Sequence, residues 1–546
     1  MKRGRTKNIA AGGNLVTQSK YTRERRKTNN VATKDQKDAI EETTTRKVVL
    51  KNENKDNDHE IEDDSMDVDL TNDLTDEIML HIFSCLDKRA LMKASQVCKR
   101  WNSIVKDKTL WRVISLAPIT FELTDKGFLT LAKARLFFTE KLHICNSRVT
   151  FDMLSSMTTH CQHLKTLLFG RSCSFDVEIS DGKEISFPNG IKTLDMRLAT
   201  GNFDVLTQVK SNLDSIINVG VGPQSFEKLN LFEFVMKLPN LCFVDFTNSL
   251  RVCDLVIHQI SRHCPNLQSL CLIGCTNVLG ESFQDLVANC KNLKTMLLRY
   301  LRINDGVLSR NFWKDSILTE IDISACPRIT YRGLYSFLQQ LKHVEYLNMS
   351  YCGDGIAVND TVLYEMAHAR NLSKLRMLDI RWSFNISASA LRALLLQCSN
   401  LSYLGVYQSF KVTATHMADF LITLPHIKTF EFGSSEAQYI NSSPLLQQLT
   451  ASTKIIRELS LINFASNNPE QDMLILEEFF RKALTLRRFN FCDCALSLVE
   501  MGRVALRYVE EEAKQLGVSR PSVKITTKWE CALPPPVNTI DRVILQ

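Results

Sequence analysis

The chain has 546 residues and a formal net charge of +7, with 44% hydrophobic and 23% charged residues, proportions that suit a globular protein with a sizeable core. No opening apolar segment reads as a signal peptide, and no uninterrupted apolar run suits a membrane span. Its 17 cysteines therefore read as reduced thiols of a cytoplasmic or nuclear protein rather than as a disulfide framework.

Residues 1–69 lack aliphatic periodicity and predict a disordered tail. It is basic first (Lys2-Arg3-Gly4-Arg5, then Arg23-Glu24-Arg25-Arg26-Lys27) and acidic from Asp56 to Asp69. The basic clusters suit either a nuclear import signal or a merely solvated tail. They are short and carry no interleaved aromatics to stack bases, so nucleic-acid binding is not expected.

Residues 70–116 predict a small helical module. Ile78, Ile82 and Phe83 recur at helical spacing and Leu86 extends the stripe, with Asp76 and Glu77 at the positive end of that helix. After Asp87, a suitable N-cap, Leu91, Ala94, Val97, Cys98 and Trp101 outline a second apolar face. The faces could simply satisfy one another. A module of roughly 45 residues is nevertheless marginal as a lone core, and each large side chain buried at an interface adds about 1.5–3 kcal/mol before entropic costs. A surplus of apolar faces favours docking on a partner.

Taken together, Leu74, Asp76-Glu77-Ile78, Ile82-Phe83, Leu86-Asp87, Val97-Cys98, Trp101 and Leu110-Trp111 resemble an F-box. That module hangs a protein on the Skp adaptor of a cullin-based ubiquitin ligase. The sequence departs at Thr75, where the family usually has proline; threonine can N-cap a helix where proline would open its first turn. The resemblance implies a Skp adaptor, and through it a cullin scaffold, as partners. It assigns Leu74, Ile78, Ile82, Phe83, Leu86, Val97, Trp101 and Trp111 to that interface or its immediate support, with the two tryptophans as possible internal braces.

Residues 117–498 repeat. In CPNLQSLCLIGCTNV, Leu267, Leu270 and Leu272 follow an L-x-x-L-x-L strand pattern. The same register recurs from Leu164-Leu167-Phe169 to Leu486-Phe489-Phe491, at roughly 25–31 residues per unit. Helical faces lie between the strands, as in Leu334, Phe337, Leu338 and Leu341. Such units bury their apolar faces only by stacking. They resemble the cysteine-containing leucine-rich repeats found behind F-boxes. The expected fold is α/β: a three-helix F-box, then a solenoid with parallel strands on the concave face and helices on the convex face. Between Phe169 and Ile191 a strand or irregular loop should replace the helix, and from Ser434 to Thr453 the connection lengthens. Residues 499–546 close the chain, with a helix from Val499 to Leu516, then an irregular cap or tail that includes Pro534-Pro535-Pro536.

Cys161, Cys264, Cys290 and Cys398 precede the first strand position and read as small buried hydrophobes. Cys275, Cys326, Cys352 and Cys494 follow the strand at a site that elsewhere holds Ser147, Ser172, Ser249, Ser383, Ser409 and Ser435. Interchange of Cys and Ser suggests a small side chain hydrogen-bonding the backbone. Cys492-x-Cys494 has no partner pair, so no zinc site is expected.

The sequence shows no phosphate loop, no H-E-x-x-H and no G-x-S-x-G, so no catalytic, cofactor or metal residue is assigned. A non-catalytic subunit would supply proximity, not chemistry. Alternation along the strands places Arg299, Tyr300, Tyr346, Tyr351, Arg381, Trp382, Tyr403 and Tyr407 on the concave side, an aromatic and basic patch for a protein substrate, acidic or phosphorylated. Asp245, Asp322 and Asp379 share one strand position and can pair with the arginines instead. The main reading is a substrate-recognition adaptor of a cullin-type ligase. The alternative is a repeat scaffold or receptor whose F-box-like helices only cap the solenoid.

Overall fold

The computed structural model describes residues 74–116, 123–177, 185–201, 206, 209, 213–223, 228–368, 373–409, 411–433, 439–452, 455–528, 536 and 539. The tail expected over residues 1–69, Ser435, Pro534 and Pro535 lie outside them.

Three short helices open the described chain: α1 (Asp76–Ser84), α2 (Lys88–Ala94) and α3 (Lys99–Val105). Thr75 caps α1 by accepting from the Ile78 amide at 3.5 Å, and Asp87 caps α2 by accepting from the Ala90 amide at 2.7 Å. Threonine thus does what its short hydroxyl allows where a proline could not. Met79, Phe83, Leu91, Ile104, Val105, Leu110 and Trp111 fill the space between the helices.

The rest is one 16-stranded parallel sheet whose strands follow chain order, from Val113–Ser115 to Lys524–Thr526. Leu270, Met296, Ile321, Leu347, Leu378, Leu404, Phe430, Leu459 and Phe489 stand side by side across successive strands, so the leucine register of the sequence is the hydrogen-bonding register of the sheet. Their side chains are all but inaccessible and meet helices such as Asp254–His263, Tyr331–Gln340 and Ala388–Leu395, which bury the apolar stripe read from the sequence. Two sides of each unit are covered only by its neighbours.

Three elements differ from expectation. Asn218–Val221 is a strand pairing with Thr193–Met196 and Phe243–Asp245, and Ile216, Val219 and Val221 keep the repeat spacing there with valine where other strands hold leucine. The Ser- and Gln-rich stretch forms a helix over Ser443–Ser452, where Leu445, Leu446 and Leu449 are buried. Lys524–Thr526 adds a last strand where an irregular cap was expected, and the helix before it spans Leu496–Gln515. Between Phe169 and Ile191 a strand replaces the helix as expected: Ser174–Phe175 joins Arg148–Val149 and Thr200–Gly201 in a separate three-stranded sheet.

Where the strands end, the Cys/Ser ladder forms at part of the expected positions, while Ser383 Oγ is buried without a hydrogen-bond partner among the described residues and Ser147 donates to the Cys145 carbonyl of its own repeat. Cys275, Cys326 and Cys494 donate to the carbonyls of Phe246, Leu298 and Leu461 in the preceding repeat at 3.0, 3.2 and 3.2 Å, and Ser409 donates to the Ser383 carbonyl at 3.1 Å. One position is corrected: Cys173, not Ser172, holds the ladder site, donating to the Ile144 carbonyl at 3.2 Å, while Ser172 is exposed at a φ of 60°. The described cysteines are all free thiols.

Candidate functional site: two exposed apolar surfaces

The helical module completes its own core and still leaves large apolar groups in water. Ile78 and Ile82, one turn apart on α1, are 48% and 43% exposed, and Val97, after α2, is 63% exposed. Met92 on α2, which falls off the stripe visible in the sequence, is 45% exposed and joins this set. Leu74, Leu86 and Trp101 are half-buried against the core.

Phe83 and Trp111 are not surface residues. Phe83 is fully buried and meets the Trp101 ring edge-on at 5.2 Å. Trp111 is buried, its indole N–H donating to the Val105 carbonyl at 2.6 Å, with the Arg135 guanidinium 4.9 Å and the Lys88 ammonium 5.7 Å from its ring. Two of the eight expected interface residues are therefore braces that join the helices to the first repeat, because a large ring fills a small core better than it serves its rim.

On the sheet, the expected patch divides. Arg381 is buried: its Nε and Nη2 grip both oxygens of Asp379 at 2.8 and 2.6 Å, and Nη1 reaches Glu431 at 2.7 Å. Both acids are fully buried, and Tyr403 Oη also donates to Glu431 at 3.0 Å. Arg299 binds Asp322 at 2.7 Å and Ser324 at 2.9 Å. These charges hold strands together, so the expectation that they grip an acidic or phosphorylated segment is corrected. Tyr346 and Tyr403 are buried around Met377, and Tyr407 is buried too, since neighbouring strands about 4.8 Å apart let in-register side chains cover one another.

The same device appears twice. Arg197 binds Asp195 and crosses Gly220 to reach Asp245 at 2.8 Å, just as Arg381 crosses Gly405 to reach Glu431. A Cβ on Gly220 would lie 2.4 Å from Asp195 Oδ1 and 2.9 Å from Arg197 Cγ; one on Gly405 would lie 2.8 Å from Tyr403 Oη and 3.3 Å from Arg381 Cδ. Each glycine is the gap through which an arginine passes.

Tyr300, Tyr351 and Trp382 remain outside the core, Tyr300 at 55% and Tyr351 at 37% exposure and Trp382 half-buried. Their backbone is unusual. The second residue beyond the strand pattern adopts a left-handed conformation in repeat after repeat, and Asn146, Asn248, Gly274, Asn463 and Asp493 suit it. Tyr300, Tyr351 and Trp382 occupy that position at φ values of 64°, 53° and 60°. A bulky residue there costs on the order of 1 kcal/mol or more, and such strain collects at binding sites. The Trp382 ring lies edge-on to Tyr351 at 6.4 Å and to Tyr407 at 4.8 Å.

One Cys–His pair forms. Cys145 Sγ lies 3.2 Å from His143 Nε2, and Ser115 Oγ is 3.2 Å from His143 Nδ1. Burial raises the Cys145 thiol above its ordinary range and, as the main cause, lowers His143, the reverse of an activated thiolate–imidazolium pair. Among the described residues no three His, Cys, Asp or Glu side chains converge as metal ligands, and no helix is long and apolar enough to cross a membrane.

Residues 72–117 match the F-box-like family. An F-box protein of Arabidopsis thaliana is 23% identical over 49% of this chain and 51% of its own length. The human F-box/LRR-repeat protein 12 is 26% identical over 23% of this chain and 39% of its own. Mouse lysine-specific demethylase 2B is 24% identical over 50% of this chain and 18% of its own length. The matched segments thus span about half or less of these curated relatives. Among solved structures, the yeast Rad7 and Elc1 complex aligns over 71% of this chain and 88% of that chain, with a TM-score of 0.46 and 15% identity. Residues 72–117 thus form an F-box-like module with a leucine-register parallel sheet behind it, and in this order of parts the chain is similar to F-box/LRR-repeat proteins.

Proposed function

We propose that the protein is the substrate-recognition adaptor of a cullin-based ubiquitin ligase, its F-box docking a Skp-type adaptor and its repeats holding a protein to be ubiquitinated. The observation that carries this reading is the exposure of Ile78, Ile82, Met92 and Val97 over a core that is already closed. Capping the solenoid needs only Trp111, Leu110 and the Lys88 ammonium, which donates to the Leu110 carbonyl at 2.5 Å. The four outer side chains do nothing for that cap, and burying each would add about 1.5–3 kcal/mol to an interface.

The proposed adaptor-binding group is Ile78, Ile82, Met92 and Val97, with Leu74, Leu86 and Trp101 in support and Phe83 and Trp111 beneath. The proposed substrate anchors are Tyr300, Tyr351 and Trp382, aromatic groups of the kind that dominate binding hot spots. The test is co-purification of a Skp-type adaptor and a cullin with the full chain. Ile78→Asp with Ile82→Asp should abolish capture and leave the unfolding midpoint within experimental error, since neither side chain is in the core. Undiminished capture by that variant would sink the reading. Replacing Phe83 would not serve, because its loss would unfold the module.

A further inference from the structure

At the N-terminal ends of the first strands, where the helices meet the sheet, cations gather. Backbone bonds set Arg112, Glu140 and Lys165 side by side, the Glu140 amide donating to the Arg112 carbonyl and the Lys165 amide to the Glu140 carbonyl, each at 2.8 Å. Glu140 therefore stands between two positive groups. Arg112 Nε donates to its Oε1 at 3.0 Å and Lys165 Nζ to its Oε2 at 3.2 Å, which holds the carboxyl below its usual range. Both carboxylate oxygens are thus engaged, while each cation stays more than half exposed with N–H donors left over.

Lys88, the first residue of α2, completes the cluster from the helical side. Its ammonium donates to the Leu110 carbonyl at 2.5 Å and lies over the Trp111 ring, yet it pairs with no carboxylate among the described residues. Burial pulls it below its ordinary range. A half-buried ammonium without a counter-ion carries a desolvation cost that a bound anion would offset.

These groups line one cavity of about 540 Å³. Lys141 lines it too, but it has a bond of its own and is left out of the count. Three cations then face one carboxylate, an excess of two positive charges. A carboxylate guest would answer half of that excess; a phosphoryl group, at about −1.5 to −2, answers nearly all of it. The cavity is far roomier than a phosphate ion, and Val113 on its wall is 54% exposed. Space and apolar surface remain for residues on either side of the phosphoryl group.

We propose that this cavity binds a phosphoryl group carried on a protein segment, held by Lys88, Arg112 and Lys165. The site shares no residue with the adaptor-binding group or with the aromatic anchors, and it stands whichever protein docks on the helices.

The experiment acetylates the full chain at pH 8 and constant ionic strength, with chloride as the baseline, and follows each lysine by mass spectrometry. The probes are inorganic phosphate, the peptide acetyl-Ala-phosphoserine-Ala-amide, and the same peptide without its phosphoryl group. At saturation the phosphopeptide should slow Lys88 and Lys165 at least about 5-fold. Inorganic phosphate should slow them less, and the plain peptide not at all. Lys294 and Lys342, exposed on other repeats, should keep their rates. In Arg112→Met with Lys165→Met the unfolding midpoint should hold, since both side chains are mostly in water, and the phosphopeptide should no longer protect Lys88. If that double variant loses stability, Lys165→Met alone takes its place and should lose most of the protection. A Lys88 rate indifferent to the phosphopeptide, equal slowing at Lys294, or protection that survives the variant would overturn the site. Protection by inorganic phosphate but not by the phosphopeptide would overturn the protein-borne guest.

Discussion

Replacing Arg381 with methionine should damage the fold far more than it damages any surface. The guanidinium makes three charged hydrogen bonds of 2.6–2.8 Å to Asp379 and Glu431, whose side chains are wholly inaccessible to solvent. Without it, Asp379 keeps an amide donor from residue 381 and Glu431 keeps Tyr403, while both buried carboxylates lose the guanidinium that answers their charge. Breaking a buried ion pair by removing one partner costs about 3–5 kcal/mol. At a urea dependence of about 3 kcal/mol per molar, the midpoint should fall by roughly 1–1.7 M, read by far-UV circular dichroism. The loss comes from stranded charge rather than from lost attraction. The triple variant Asp379→Leu, Arg381→Met, Glu431→Leu should therefore recover most of it. A single variant with the parental midpoint, or a triple variant no better than the single, would refute the account.

Gly220→Ala and Gly405→Ala should each destabilise by about 1–3 kcal/mol, because the new methyl meets Asp195 and Arg197 in one case and Tyr403 and Arg381 in the other; denaturant midpoints decide it. Tyr300→Asn with Tyr351→Asn should raise the unfolding midpoint or leave it unchanged, since asparagine suits the left-handed backbone, yet abolish capture of protein substrate; loss of both properties together would point to a structural role. Alkaline pH should destabilise the repeats. Burial pushes the Cys264, Cys275, Cys326 and Cys398 thiols up to about 12 from an ordinary 9.0, so their contribution is complete below pH 9 and is lost as pH climbs toward 12, when only the unfolded chain ionises them. Urea midpoints at pH 8 and pH 10.5 test this, and Ser in place of Cys326 and Cys398 should flatten the slope.

The sheet was legible because one apolar position recurs with a fixed spacing, and spacing becomes hydrogen-bond register directly. Asn218–Val221 carries the spacing as well, in Ile216, Val219 and Val221, but with valine and glycine in place of the leucines that mark other strands, and the last described strand is set apart by the 20-residue helix before it. Facing was legible too: alternation puts Arg381 and Tyr403 on the strand side. What alternation does not encode is how deeply parallel strands bury their own row. The sharing of Asp245, Asp322 and Asp379 at one position hinted that the arginines would be answered internally. Glu431, two strands on from Asp379, carried no local signal. Nor did the left-handed turns show in the letters, because the position holds Asn, Gly, Ala, Tyr and Trp alike. Among the helices, periodicity identified an apolar stripe but not which members it would spend inside, so Phe83 and Ile82, adjacent in sequence, took opposite sides.

The arginines that cross Gly220 and Gly405 have a mechanical consequence. A stack of repeats held only by adjacent neighbours yields one unit at a time when pulled. Arg197 and Arg381 each tie a strand to the one two places along, stapling three repeats into a block at Asp195–Asp245 and another at Asp379–Glu431. Between the blocks lie strands such as Ser269–Cys271 and Thr295–Leu297, which carry neither staple. Under force the solenoid should behave as two stiff segments joined by a softer spring, and Tyr300 stands on that spring. On the proposed function, a protein held at Tyr300 and pulled would bend its holder at a defined place before breaking it.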